Sequence, residues 1–458
     1  MALGATLAIG GGCQQPELNT LDKVVELGEV VVVTRPGATT YYLGPDGETG
    51  LEFDLAQGFA EFLGVGVRII TAHSIDEMFD AVTQGHAHFA AGGVAITEAR
   101  RQRARFGPPY QDVTQQVVYR FGSDRPTGLE ALNGGRFQIA SASAHAERVA
   151  SMQNDYPDLA WEYADGPAEE LLARVWTREA DYTVAHSHLV AVQQRYFPEL
   201  RVAFDLEGTQ SLAWAFPHSK DASLYQAAER YFAEIKENGQ LARLLEKHYG
   251  HLREFDYVGT RVFMRHIEER LPHYRAWFEE AAEANGLDWR LLAAMAYQES
   301  HWNPRAVSPT GVRGIMMLTQ ATARDLGLDQ RTDPQQSIDG GARYFRHLWD
   351  RMPSEIPEPD RMWMAVAAYN IGAGHVAGVR HITTLRGGNP NSWADVKENL
   401  PLLQQREWYQ QTRNGYARGN EAFVYVENIR SYYDILLWTM DREPHLVRGP
   451  RPQVVAAQ

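Results

Sequence analysis

Along the first half of the chain the apolar positions switch repeatedly between two periods. Glu29 to Arg35 is a run of valines behind an acid, which predicts a buried strand, and Gly50 to Leu63 spaces its apolar residues as an amphipathic helix does. Val67 to Thr71 reads as strand again and Ile75 to Gln84 as helix. Alternation of this kind, continuing from about Leu27 to His251, predicts a mostly parallel sheet flanked by helices. Farther on, Trp289, Leu292, Ala293 and Ala296 stand at the i, i+3, i+4, i+7 spacing of one buried helix face, with Asp288 placed as its N-cap. Another short helix opens at Asp360, sets Met362, Ala365, Val366 and Tyr369 on a shared face, and is ended by Gly372 and Gly374.

A chain of 458 residues is too long for one core, so two or three domains are expected. Hydrophobic residues at 44% and charged ones at 22% are those of an ordinary soluble globular protein. A formal charge of −14 argues against nucleic acid as partner, because a phosphate backbone calls for basic patches. The single cysteine, Cys13, allows neither an intrachain disulfide nor a zinc cluster. Among the 16 histidines, His186 and His188 lie two apart without a third ligand nearby, so they read as packing or surface residues. No metal and no cofactor is expected.

Glu299 stands seven residues after Leu292 and so shares its helix face. A carboxyl group held against such a face is desolvated and its pKa rises. An acid that keeps its proton near neutral pH is what protonating a glycosidic oxygen requires. The competing reading is a helix-end glutamate turned to solvent.

Four phrases bear on that choice: Glu299-Ser300, then Ser308-Pro309-Thr310-Gly311-Val312-Arg313-Gly314-Ile315-Met316, then Ala367-Ala368-Tyr369-Asn370, then Tyr425-Val426-Glu427-Asn428-Ile429. In this order they resemble the catalytic domain of the soluble-lytic-transglycosylase family, a lysozyme-like, mostly α fold. Upstream, Gly50-Leu51-Glu52-Phe53-Asp54, the Gln84-Gly85-His86 turn and Ile96-Thr97-Glu98-Ala99-Arg100 resemble the family 3 extracellular solute-binding domains, two-lobed α/β receptors of the periplasmic-binding-protein type. Together the halves resemble the membrane-bound lytic murein transglycosylase F family. The resemblance implies a lead segment at 1–26, a non-catalytic binding domain at 27–250, a catalytic domain at 251–448 and a frayed tail at 449–458. The chain would pass into the second lobe near Tyr119 and return near Trp214. The connector from Leu252 to Tyr257 lacks any Gly/Ser tract and reads as stiff.

The same resemblance assigns roles. Glu299 would be the catalytic acid and base, and Ser308, Met316, Tyr369, Asn370 and Tyr425 would bind and orient substrate, the last three by holding Glu299 and the N-acetyl group. That substrate is the peptidoglycan glycan strand, cut between N-acetylmuramic acid and N-acetylglucosamine to leave 1,6-anhydro ends, which makes the enzyme a carbon–oxygen lyase. The motifs supply one carboxylate where a hydrolase usually needs two. A goose-lysozyme-like hydrolase would need another acid, such as Asp325, Asp339 or Glu427, and a third possibility is a cell-wall peptide-binding protein with a decayed catalytic domain. Met317 stands where many relatives carry glutamine, so a polar contact to the glycan is lost or is supplied by Thr319 or Gln320. In the binding domain, Arg100 with Thr97 would hold a ligand carboxylate by its guanidinium fork, unless it belongs to a solvated face with Arg101, Arg103 and Arg105. The place of the usual aspartate for an α-amino group falls on His186, so a stem peptide is favoured over a free amino acid as regulatory ligand.

Cys13 follows the small apolar run Ala2 to Gly12 and is followed by Gln14. This resembles a lipoprotein cleavage region with sorting to the periplasmic face of the outer membrane. Gly10 three before the cysteine and the lack of Lys or Arg ahead of it depart from that pattern, and an incidental cysteine is the alternative. The run is shorter than the roughly 20 residues of a membrane span.

Overall fold

The computed structural model describes residues 18–44, 47–250, 257–308 and 311–441. Cys13, most of the connector (252–256) and the tail from Gly449 lie outside them. The chain divides into two compact units: everything up to Asp112 with Gln210–Leu241, and Val113–Thr209 with the chain from Ala242 on.

In the first unit the valine run forms the strand Glu29–Thr34, buried from Val30 through Thr34. It is buried on both faces because it sits inside a five-stranded sheet. Gly66–Thr71 pairs parallel on one side and Phe89–Ala90 parallel on the other, and Ala215–Phe216 and Arg105–Phe106 complete the sheet antiparallel. The predicted helices are Leu51–Leu63 and Ile75–Thr83. Ser74 caps the second through the Glu77 N–H, and Gly50 precedes the first at φ +124, where an added Cβ would lie 2.2 Å from the Thr40 carbonyl oxygen. Glu52 is 1% exposed, yet accepts from the Gly93 N–H (2.7 Å), the Trp214 indole (3.0 Å) and the Tyr110 hydroxyl. That set of donors is how a carboxyl group is tolerated in a core.

The chain leaves this unit after Asp112 and returns at Gln210, a few residues earlier than expected at both ends. Both crossings fall inside long strands, Gln111–Arg120 and Leu200–Leu212, so no turn residue marks them. In the second unit Gln111–Arg120 lies between Tyr182–His186 and Leu200–Leu212 in a three-stranded sheet, and Gln138–Ala140 pairs parallel with Glu162–Ala164.

The same unit holds the catalytic helices. Their core gathers Phe263, Phe278, Tyr297, Trp302, Phe345 and Met364 around the helix Trp289–Ser300. That helix is buried from Leu291 through Tyr297, and so on every side rather than on the single predicted face. It runs among the helices Arg275–Asn285, Pro334–Asp350 and Gly419–Asp441, while Trp289 of the predicted face stays half-buried at its start. Short apolar residues such as Ala293, Ala294 and Ala296 permit those close approaches. Gly372 ends the helix Asp360–Ile371 at φ +87, whereas Gly374 lies inside the next helix, Ala373–Leu385.

The receptor-like sheet and the catalytic helices of this unit are bound side to side. Arg195, 3% exposed, reaches Asp434 (2.6 Å) and Ser431 (2.9 Å) on the terminal helix, and Trp438 stacks on Tyr196 with ring centroids 4.7 Å apart. Lys397 pairs with Glu246 and with Glu427 (3.2 Å), and Arg430 donates to the Lys247 carbonyl oxygen (2.9 Å). Buried charges and stacked rings therefore join these parts non-covalently.

Candidate active site

Asp288 caps the acid helix by accepting from the Arg290 N–H (2.8 Å), and its other oxygen takes the Tyr433 hydroxyl (2.9 Å). At the far end His301 and Trp302 both adopt left-handed backbone (φ 52 and 54). This sharp reversal tucks the Trp302 indole beneath the helix, where it donates to the Ala293 carbonyl oxygen at 2.8 Å. Glu299 is thereby fixed on the last turn.

Its side chain is half-buried, and its carboxyl accepts the Tyr425 hydroxyl at 2.6 Å. Burial pushes its pKa up from 4.5 to about 7, against the opposing pull of that hydrogen bond, which favours the charged form. No charged neighbour contributes to the shift. Burial, and then the negative charge of Glu299, hold the hydroxyls of Tyr369 and Tyr425 well above the ordinary range, so both stay protonated donors.

The loop after the acid helix is clamped by side chains from three helices. The Ser300 hydroxyl donates to the Ile315 carbonyl oxygen (2.8 Å), the Met316 N–H donates to Ser337 Oγ (3.3 Å), and Tyr369 donates to the Met316 carbonyl oxygen (2.9 Å). Met316, expected against substrate, is 0% exposed and packed on Gly341, where a Cβ would lie 2.7 Å from its Cε. It serves as floor rather than surface, because the near-absent side chain of Gly341 lets the thioether sink. Met317, at φ 47 and half-buried, is the methionine nearer solvent.

Ser308 accepts the Val312 N–H on its hydroxyl oxygen (3.0 Å), closing the turn in which Pro309 and Thr310 lie outside the described residues. Asn370 is exposed beside Tyr369, and among the described residues no hydrogen bond joins it to Glu299. Thus Glu299, Tyr425, Tyr369 and the Met316 backbone come together, whereas the Ser308 hydroxyl closes its own turn and Asn370 is exposed.

Three residues at this site carried no assigned role in the sequence. Ser300 sits inside the Glu-Ser phrase, Ser337 is fully buried, and Tyr344 meets the Tyr369 ring edge-on with centroids 5.4 Å apart. Only Ser300 had a local signal, its adjacency to the acid. Two of the alternative second acids are held in ion pairs and the third is exposed. Glu427 is buried between Lys397 and Arg430, Asp339 pairs with Arg343 (2.9 Å), and Asp325 is exposed at the end of its helix.

The binding-domain candidates divide between the units. In the first, Thr97 caps the helix Glu98–Arg101 through the Arg100 N–H (3.2 Å), and Arg100 is 7% exposed with its guanidinium on the Ala95 carbonyl oxygen (3.1 Å). Arg101 and Arg103 are exposed and Arg105 lies over the Tyr225 ring (3.5 Å), so Arg100 stands apart from the basic surface. In the second, His186 ends its strand and packs against His145, with ring centroids 4.4 Å apart. Among the described residues no group of three or more His, Cys, Asp or Glu is arranged to hold a metal ion.

An α/β binding-protein fold joined to a helical domain with one tyrosine-held, desolvated glutamate defines a receptor-linked, glycan-cutting class of protein. The model of the transglycosylase SLT domain matches residues 276–386, and that of the bacterial extracellular solute-binding proteins, family 3, matches residues 30–251. The chain is 53% identical to membrane-bound lytic murein transglycosylase F 1 of Alkalilimnicola ehrlichii, over 92% of this chain and 86% of the relative. It is 47% identical to membrane-bound lytic murein transglycosylase F of Saccharophagus degradans, over 92% and 84%, and 44% identical to that of Ectopseudomonas mendocina, over 96% and 90%. The chain belongs to the membrane-bound lytic murein transglycosylase F family.

Proposed function

We propose that the chain cuts murein between N-acetylmuramic acid and N-acetylglucosamine as a lyase, with Glu299 as its one acid and base. The supporting observation is the carboxyl of Glu299, whose pKa owes its rise to burial, with Tyr425 as its hydrogen-bond partner. Protonated Glu299 gives its proton to the glycosidic oxygen as the bond from muramic acid C1 breaks. The resulting carboxylate then takes the proton of the C6 hydroxyl while that oxygen bonds to C1. The ring closes as a 1,6-anhydro sugar and no water is consumed. Proton transfer by a positioned group contributes ~10²–10⁴ in rate. Tyr425 steadies the carboxylate between the steps, and Tyr369 holds the Met316 backbone beside it. Mass spectrometry of digested murein tests the reading: product ends lighter by one water than reducing ends support it, and reducing ends would replace it with a hydrolase.

Residues 27–250 form the binding domain of this reading, 251–448 its catalytic domain. Arg100 and Thr97 would take a stem-peptide carboxylate, with His186 in the other lobe. The docking of Arg195 and Trp438 supports a regulatory role, because it ties the receptor-like part to the helix that carries Tyr425. Calorimetry with muropeptides, paired with activity assays on Arg100→Ala, tests this role. Among the described residues no helix is long and apolar enough to cross a membrane. Lipidation at Cys13 would tether the enzyme to the periplasmic face of the outer membrane, which labelling with a fatty-acid analogue would detect.

A further inference from the structure

Among the described residues the segment from Arg406 to Arg418 has no hydrogen bond to Glu299, but it is anchored on the helix that follows Tyr369 and leads into the helix that carries Tyr425. Asn414 presses on Gly374, where an added Cβ would lie 2.4 Å from its Nδ2, and Thr412 packs on Gly378. Both glycines belong to the helix Ala373–Leu385, which begins directly after Tyr369, Asn370 and the Gly372 turn. At its other end the Ala417 N–H donates to the Leu403 carbonyl oxygen (3.1 Å), and Gly419 starts the helix that brings Tyr425 to the acid six residues later. The segment is therefore a ledge between the helix that follows Tyr369 and the helix that carries Tyr425.

What it shows to solvent is aromatic and basic. Tyr416 is 55% exposed and meets half-buried Tyr409 edge-on, with centroids 5.9 Å apart. The segment carries Arg406, Arg413 and Arg418 against the single acid Glu407, in a chain of net charge −14. All three arginines are exposed, and among the described residues only Arg418 has a carboxylate partner, Glu421 at 3.3 Å. An amphipathic ring offers a sugar an apolar face and a polar edge.

We propose that this ledge is an outer subsite for the peptide-bearing glycan strand: Tyr416 takes a sugar face beyond the cleavage point, and Arg406 and Arg413 take carboxylates of the attached peptides. The assignment rests on murein being the substrate. It predicts that the enzyme distinguishes peptide-substituted strands from bare ones through charge, outside the catalytic centre.

The test uses the full chain on two substrates, intact sacculi and glycan strands stripped of peptide by an amidase. Arg406→Ala with Arg413→Ala should raise the half-saturating concentration of sacculi roughly three- to tenfold, an effect that fades at high salt and is absent on stripped strands. Tyr416→Ala should weaken both substrates by a similar factor, roughly that of one aromatic contact, and Tyr416→Phe should restore it. Unchanged half-saturation in both variants, equal loss on both substrates in the arginine variant, or loss confined to kcat would overturn the subsite. The anhydro or reducing nature of the wild-type product is read in the same digests, so failure of the lyase reading is seen separately.

Discussion

A carboxyl group that titrates near pH 7 must leave its mark on both rate and stability. As the acid, Glu299 acts while protonated, so activity should fall as pH rises through about 7. Tyr425→Phe removes a hydrogen bond that favours the charged form, so that limb should move to higher pH while kcat drops; pH–rate profiles of the two proteins give the comparison. For stability the sign follows from proton binding. The folded chain holds this proton more tightly than the unfolded chain, whose glutamate titrates near 4.5, so the stabilisation is complete below about pH 4.5 and lost by about pH 7. Glu299→Gln should therefore melt like wild type at pH 4. At pH 8 it should melt higher, by as much as about 3 kcal/mol and less where water reaches the carboxyl. The same variant should be inactive in a murein turbidity assay, since an amide has no proton to give; residual activity above a few per cent would remove Glu299 from its role. The shift itself was legible before any coordinates, because periodicity put Glu299 on an apolar face. Its hydroxyl partner Tyr425, 126 residues away, had no local signal and was named only through the resemblance.

Between elements, the decisive contacts involve backbone groups, which a sequence does not display. The pair Met316 and Met317 reads as one apolar strip, yet the first is sunk against Gly341 and the second turns outward at a left-handed φ. Gly341 had no signal beyond being a glycine within a helix. Gly341→Ala should overpack this contact and cost about 1–3 kcal/mol, read by denaturant melts, with a larger fall in kcat than in substrate affinity because Tyr369 loses its anchor on the Met316 carbonyl. Ser300→Ala should strand the Ile315 carbonyl group and cost about 1–3 kcal/mol. The acid helix, by contrast, was readable in its bounds and its cap, and only its burial on every side escaped, since alanines fit a single face or all of them equally well.

Across the whole chain, the sequence disclosed which families meet but not which residues fasten them. Arg195 and Asp434 are 239 positions apart, and nothing local marks either as a partner. Asp434→Asn removes a carboxylate from a buried guanidinium and should cost about 3 kcal/mol in thermal or denaturant unfolding; a neutral result would mean that the other partners of Arg195, Ser431 among them, satisfy it. The terminal helix Gly419–Asp441 faces two ways, with Tyr425 on the acid and Asp434 and Trp438 on the receptor-like part. Anyone who trims this enzyme to its catalytic half cuts through that arrangement. Such a fragment would emerge with an indole and a carboxylate newly wetted on the helix that steadies its acid. Its turnover would then describe an amputated enzyme, and slow digestion by it would be no measure of how fast the intact chain remodels a wall.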